Sequence, residues 1–96
     1  MLLYILNEKD TWSYKIGHTK SKTPKHRIKQ LQTGNKNIID LVWVLEHDKA
    51  NQIEKMLHRN LSHCRQEGEW FNFEDVNIEE IKIKALKFSE IIDFIS

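Results

Sequence analysis

Two groups of residues in this chain have the types and spacing to do chemistry. From Lys15 to Lys36 there are seven Lys or Arg and no Asp or Glu. That is the footprint of a surface that meets a polyanion, a solvated charge run being the plainer alternative. The candidates for phosphate contact are Lys15, Lys20, Lys22, Lys25, Lys29 and Lys36, with Arg27 among them. The second group is Glu54 and His58, one helical turn apart. Around them Ala50, Ile53, Leu57, Leu61 and Cys64 recur at three- and four-residue spacing, an apolar stripe. At about 100° per residue, Glu54 lies about 50° from the middle of that stripe and His58 about 90°. A carboxylate on the border between core and solvent is where a ligand lining a cleft belongs.

Other constellations fall away. His58, His63 and Cys64 suggest a metal site, but one cysteine with no Cys-x-x-Cys partner does not make structural zinc. His63 and Cys64 are adjacent on a helix and point apart, so they are no nucleophile pair. The three glycines are too widely spaced for a phosphate loop. A single cysteine excludes an internal disulfide and suits a reducing, intracellular compartment, cytoplasm or nucleus. No apolar stretch approaches the roughly 18 residues of a membrane helix. Leu2 to Leu6 is too short for a secretory leader and lacks a basic flank.

The elements that must position these groups are readable in order. Ninety-six residues suit one domain, 1–96, with a core large enough to fold unaided. Residues 1–36 carry eight basic and two acidic side chains and residues 37–96 seven and twelve, so a near-neutral molecule has one basic half. Leu2–Leu6 and Tyr14–Lys20, separated by an Asn-Glu-Lys-Asp cluster, read as a hairpin. Pro24 to Asn35 has proline in its first turn and glycine just past its end, which predicts a short helix. Ile38 to Glu46 is apolar and β-branched enough to predict a strand buried on both faces. Asp48 is a fair N-cap for a helix from about Lys49 to His63. Glu69–Phe73 alternates like a short strand. Asn77 and Glu80 form a capping box opening a last helix with Ile81, Ala85, Phe88, Ile92 and Ile95 on its core side. The order β-β-α-β-α-β-α predicts a small α/β (α+β) domain whose sheet is mixed, mainly antiparallel.

With these elements in place the chain resembles the GIY-YIG nuclease superfamily, closest to its branch named after phage open reading frame 172, also called the meiotically up-regulated gene 113 family. The residues that carry the resemblance are Tyr14-Lys15-Ile16-Gly17-His18-Thr19 and Arg27 through Asn35. Ile53-Glu54-Lys55-Met56-Leu57-His58 and Gly68-Glu69-Trp70-Phe71 continue it, over about residues 2–73. The last helix lies outside. The resemblance implies that Tyr4 is the tyrosine of the first half-motif, Arg27 the arginine on the following helix and Glu54 a metal-binding glutamate. Lys15 stands where the second half-motif has tyrosine, Leu2 where the first has glycine, and only Asn72 offers a counterpart to a late asparagine.

The implied activity is metal-dependent hydrolysis of DNA phosphodiesters, with one Mg²⁺ or Mn²⁺ ion and no small-molecule cofactor. Arg27 would charge-stabilise the phosphoryl oxygens. Glu54 would hold the ion. Tyr4 or Lys15 would orient or deprotonate the water, and His58 would serve as a second ligand or proton carrier. Arg27 beside Lys15 would lower the lysine's pKa. A DNA-binding or regulatory module that lost catalysis is the alternative, and a protein-interaction domain using the acidic half is a third. With no separate recognition domain, sequence specificity has to come from the basic helix, a homodimer or a partner chain. His18, His26 and His47 read as surface residues, and Trp43, Trp70 and Phe71 as core.

Overall fold

The computed structural model describes residues 1–95. Strands β1 (Leu2–Glu8) and β2 (Ser13–Thr19) form an antiparallel hairpin in which Tyr4 lies opposite Gly17 and Leu6 opposite Lys15. Its tip is fixed by short polar side chains. Asp10 takes the left-handed φ of 62°, which aspartate tolerates better than most residues. The Asn7 amide donates to the carbonyls of Thr11 and Ser13. Strand β3 (Ile39–Glu46) pairs with the other edge of β1, and β4 (Trp70–Asn72) with the outer edge of β2. The sheet order is β3-β1-β2-β4 and every pairing is antiparallel.

Helix α1 (Lys25–Thr33) covers one face of this sheet, and α2 (Ala50–Asn60) and α3 (Ile78–Ile95) cover the other. The period of a strand sorts the side chains of β1 between them. Leu3 and Ile5 join a large cluster with Ile53, Leu57, Phe71, Phe73, Ile81 and Ala85. Tyr4 and Leu6 join a small one with Ile39, flanked by Ile28, Leu31 and Trp70. The Gln32 side chain closes α1 onto the start of β3, donating to the Asn37 carbonyl and accepting from the Ile39 amide at 2.8 Å each.

The predicted order of elements is the observed one, with several local differences. β3 is not buried on both faces: it is an edge strand, and Leu41 and Val44 are exposed. An apolar run spells a central strand and a half-covered edge strand alike. The helix predicted to reach His63 ends at Asn60 and tightens into a 3₁₀ turn at Ser62–Cys64. Asp48 does not cap it; the residue before the helix is Lys49, whose amide donates to His47 Nδ1 at 2.9 Å. β4 is two residues shorter than the alternating run Glu69–Phe73. Asn77 does cap α3, its Oδ1 accepting from the Glu79 amide at 2.8 Å.

Candidate functional site

The outer edge of β2 is only half covered. β4 pairs with Ser13, Tyr14 and Lys15, and its ladder ends with the Ile16 amide donating to the Glu69 carbonyl. From Gly17 onward the edge is open, and the candidate residues gather at this gap.

Tyr4 projects from β1 across β2. Its ring lies so close over Gly17 that a Cβ there would stand 2.5 Å from the hydroxyl oxygen and 2.6 Å from the carbon bearing it. Glycine at 17 is therefore a requirement of the tyrosine's position, not of the backbone. Although Tyr4 is only 2% exposed, its hydroxyl senses three charged side chains. Burial pushes it above the ordinary phenol value, Arg27 beside it pulls it back, and Glu69 and Glu54 push it up again. Tyr4 thus meets neutral pH with its proton, as a group that both donates and accepts. Arg27, on the exposed side of α1, also donates to Gln30 Oε1 at 3.4 Å. Its position follows from Ile28 and Leu31, which lie against the sheet and turn residue 27 toward the gap.

Lys15 is brought to the same face but in a role the charge count did not foretell. It is 5% exposed, its ammonium 3.2 Å from Glu69 and 5.5 Å from the centre of the Trp70 ring. The nearest charge to this lysine is a carboxylate, not the Arg27 guanidinium. Lys20, Lys22, Lys25, Lys29 and Lys36 are exposed, so the basic surface is made by these five and Arg27 without Lys15.

Glu54 lies where the helical wheel puts it, between the buried Ile53 and solvent, its side chain 13% exposed. Its partner is His18, whose Nδ1–H donates to Glu54 Oε1 at 3.1 Å. His58 does not turn to Glu54. Its Nε2–H donates to the Ile16 carbonyl at 2.9 Å, and its ring stands edge-on to Phe71 at 4.9 Å. The structure therefore sets Arg27 beside the Tyr4 hydroxyl, leaves Glu54 near enough to act on it electrostatically but bonded to His18, pairs Lys15 with Glu69, and engages His58 with the backbone of β2. His18 and Glu69 are the two members that sequence reasoning missed. A histidine following a strand glycine gives no local sign of an acid 36 residues on, and nothing local in Gly68-Glu69-Trp70-Phe71 marks Glu69 as the partner of Lys15.

Among the described residues no three His, Cys, Asp or Glu side chains converge. A divalent cation at Glu54 would accordingly be held by one carboxylate, with water and phosphate oxygens completing the shell. That donor set suits Mg²⁺, which keeps much of its water and binds through one or two carboxylates plus substrate phosphate. No described helix is long and apolar enough to cross a membrane.

No match was found among curated proteins or among solved structures. The family model for the T5orf172 domain matches residues 1–89. The match runs well past the span of about 2–73 read from motifs and takes in most of α3, whose Ile81 and Ala85 are fully buried in the large cluster. The last helix is thus part of the family's domain rather than an addition to it. From first strand to last helix, the chain belongs to the T5orf172 domain family, the phage open-reading-frame-172 family associated with GIY-YIG-like nucleases.

Proposed function

We propose that this chain is a metal-dependent endonuclease domain that hydrolyses DNA phosphodiesters at the gap beside β2. The observation that carries the reading is the buried Tyr4 hydroxyl, laid across Gly17 beside Arg27 and within the field of Glu54. Apolar packing alone gives no reason to collect a phenol, a guanidinium and a carboxylate at one half-open strand edge.

In this reading DNA lies along α1, its phosphates met by Lys20, Lys22, Lys25, Lys29 and Lys36. Arg27 holds the non-bridging oxygens of the scissile phosphate, the site of developing charge. Tyr4 hydrogen-bonds the attacking water and aligns it; the water's proton passes to solvent or to a phosphate oxygen. Glu54 would hold the Mg²⁺ or Mn²⁺ ion, which when bound supplies Lewis acidity to the phosphoryl and leaving oxygens. Lys15 neutralises Glu69, a carboxylate that would otherwise repel the DNA beside the site. His58 keeps α2 in place rather than exchanging protons.

A second reading, a DNA-binding module without catalysis, is favoured by one observation. The lysine standing where the superfamily has its second tyrosine is buried and ion-paired. Supercoiled plasmid incubated with the protein and Mn²⁺ separates the two: hydrolysis gives nicked circles that EDTA prevents, whereas binding alone retards the plasmid without nicking it. Glu54→Gln should bind DNA as the parent does and leave no nicked product. A Glu54→Gln protein that nicks like the parent removes the proposed role of this carboxylate.

A further inference from the structure

Helix α2 is fastened to β2 at two points whose spacings match. Four residues of helix, Glu54 to His58, advance about 6 Å; two residues of strand, Ile16 to His18, advance about 6.8 Å. His58 donates to the Ile16 carbonyl at 2.9 Å and His18 donates to Glu54 Oε1 at 3.1 Å. The first contact fixes the register of α2 along the strand, and that register sets Glu54 opposite His18. The strand parity is equally determined. Gly17 must face Tyr4, so His18 turns to the opposite, α2-bearing side, beyond the point where the β4 ladder ends.

We infer that His18 is a positioning residue for Glu54: its imidazole holds Oε1 so that the other carboxylate oxygen, Oε2, is aimed at a divalent cation at the gap. The inference rests on the metal role proposed above for Glu54. An unheld carboxylate at the end of a glutamate side chain samples several rotamers, and each must be given up when the ion binds. One hydrogen bond to the non-ligating oxygen removes that freedom beforehand. Partners of this kind are worth about 10- to 100-fold in metal affinity. The contact asks only that Nδ1 carry a proton, which it does in the imidazolium and in one neutral tautomer. His18 is 39% exposed at its side chain, so replacing it opens no cavity, and a loss of metal binding is not a loss of fold.

The test is Mn²⁺ binding to the DNA-free protein, by calorimetry or by the paramagnetic resonance signal of the free ion, for the parent, His18→Ala, His18→Asn and Glu54→Gln. Circular dichroism melts confirm that each is folded. The expected result is that His18→Ala binds Mn²⁺ about tenfold or more weakly while retaining parental DNA affinity. His18→Asn, whose side-chain amide N–H takes the place of Nδ1–H, should recover much of the loss, and Glu54→Gln should bind least. Parental Mn²⁺ affinity in His18→Ala, with binding lost in Glu54→Gln, overturns the role of His18 and leaves the metal role of Glu54 standing. His18→Asn as weak as His18→Ala also overturns it, because the ion would then need the imidazole itself. Parental affinity in Glu54→Gln overturns both.

Discussion

On the α2–α3 face of the sheet, Ile53, Leu57, Phe71 and Phe73 are at most 1% exposed and pack into a single apolar cluster. On the α1 face, Tyr4 shares its layer with the Lys15 ammonium, and α1 itself contributes no fully buried residue. One face is a core in the ordinary sense; the other is a thin apolar patch rimmed with charge. The same strands serve both, because alternate residues of β1 and β2 point to opposite sides. Most of the apolar support thus lies on one side of the sheet and the tyrosine and guanidinium on the other, with Glu54 and His18 meeting at the edge of β2 from the α2 side. Substitutions on the two faces should fail in different ways.

The largest effect is expected on the thick face. Phe71→Ala removes a fully buried ring that stacks on Phe73 at 5.7 Å and carries the edge of His58. It should cost about 3–5 kcal/mol, a large share of the roughly 5–15 kcal/mol that holds a domain together. Urea melts would show a much lowered midpoint, and activity would be lost with the fold. A loss of stability below about 1 kcal/mol would mean that the large cluster is not the main support.

Next comes Gly17→Ala, which acts between the faces. The added methyl would stand 2.5 Å from the Tyr4 oxygen, so the ring must move. A destabilisation of about 1–3 kcal/mol is expected, accompanied by loss of nicking out of proportion to the loss of folded protein. Gly17→Ala with full activity would show that the tyrosine's place over residue 17 is not what catalysis uses.

Much of this division was legible in the chain and part of it was not. The hairpin, the basic helix and the three-four spacing of Ile53, Leu57 and Leu61 are local signals, and they placed Glu54 correctly at the core's border. The surroundings of Lys15 were not legible, because its burial depends on Glu69 and Trp70 arriving from 54 and 55 residues on. His58 looked like a partner of Glu54 because both sit on one helix a turn apart, yet its ring is claimed by the Ile16 carbonyl. Gly34 does stand just past the end of α1, as read, although its φ of −102° and the open space around it require no glycine there. Local periodicity carries the elements; contacts that depend on how two elements dock leave no mark within either one.

Smaller effects sharpen the comparison on the thin face. Lys15→Met keeps the length of the side chain over Trp70 and removes a buried charge, leaving a Glu69 carboxylate that is 40% exposed and able to turn to water. Stability should change by no more than about 1 kcal/mol, in either direction, with DNA bound more weakly. A loss as large as that of Phe71→Ala would make the Lys15–Glu69 pair a structural element of the first rank. The smallest effect is expected from Lys29→Ala, at an exposed position of α1. Stability should stay within about 0.5 kcal/mol of the parent. If about four phosphates are neutralised, the slope of log affinity against log salt should move from near −4 to near −3. An unchanged slope would take α1 out of the DNA interface.

Tyr4→Phe deletes one oxygen from the thin face and leaves its packing, which makes it the most direct test of the tyrosine's role. Plasmid nicking in Mn²⁺, measured beside DNA affinity and a urea melt, should show a folded protein that binds DNA as tightly as the parent and produces about 100-fold fewer nicked circles, the cost of a nucleophile left unaligned. Nicking at the parental rate by Tyr4→Phe would contradict that role, and would leave the half-open edge of β2 a place where DNA is held but not cut.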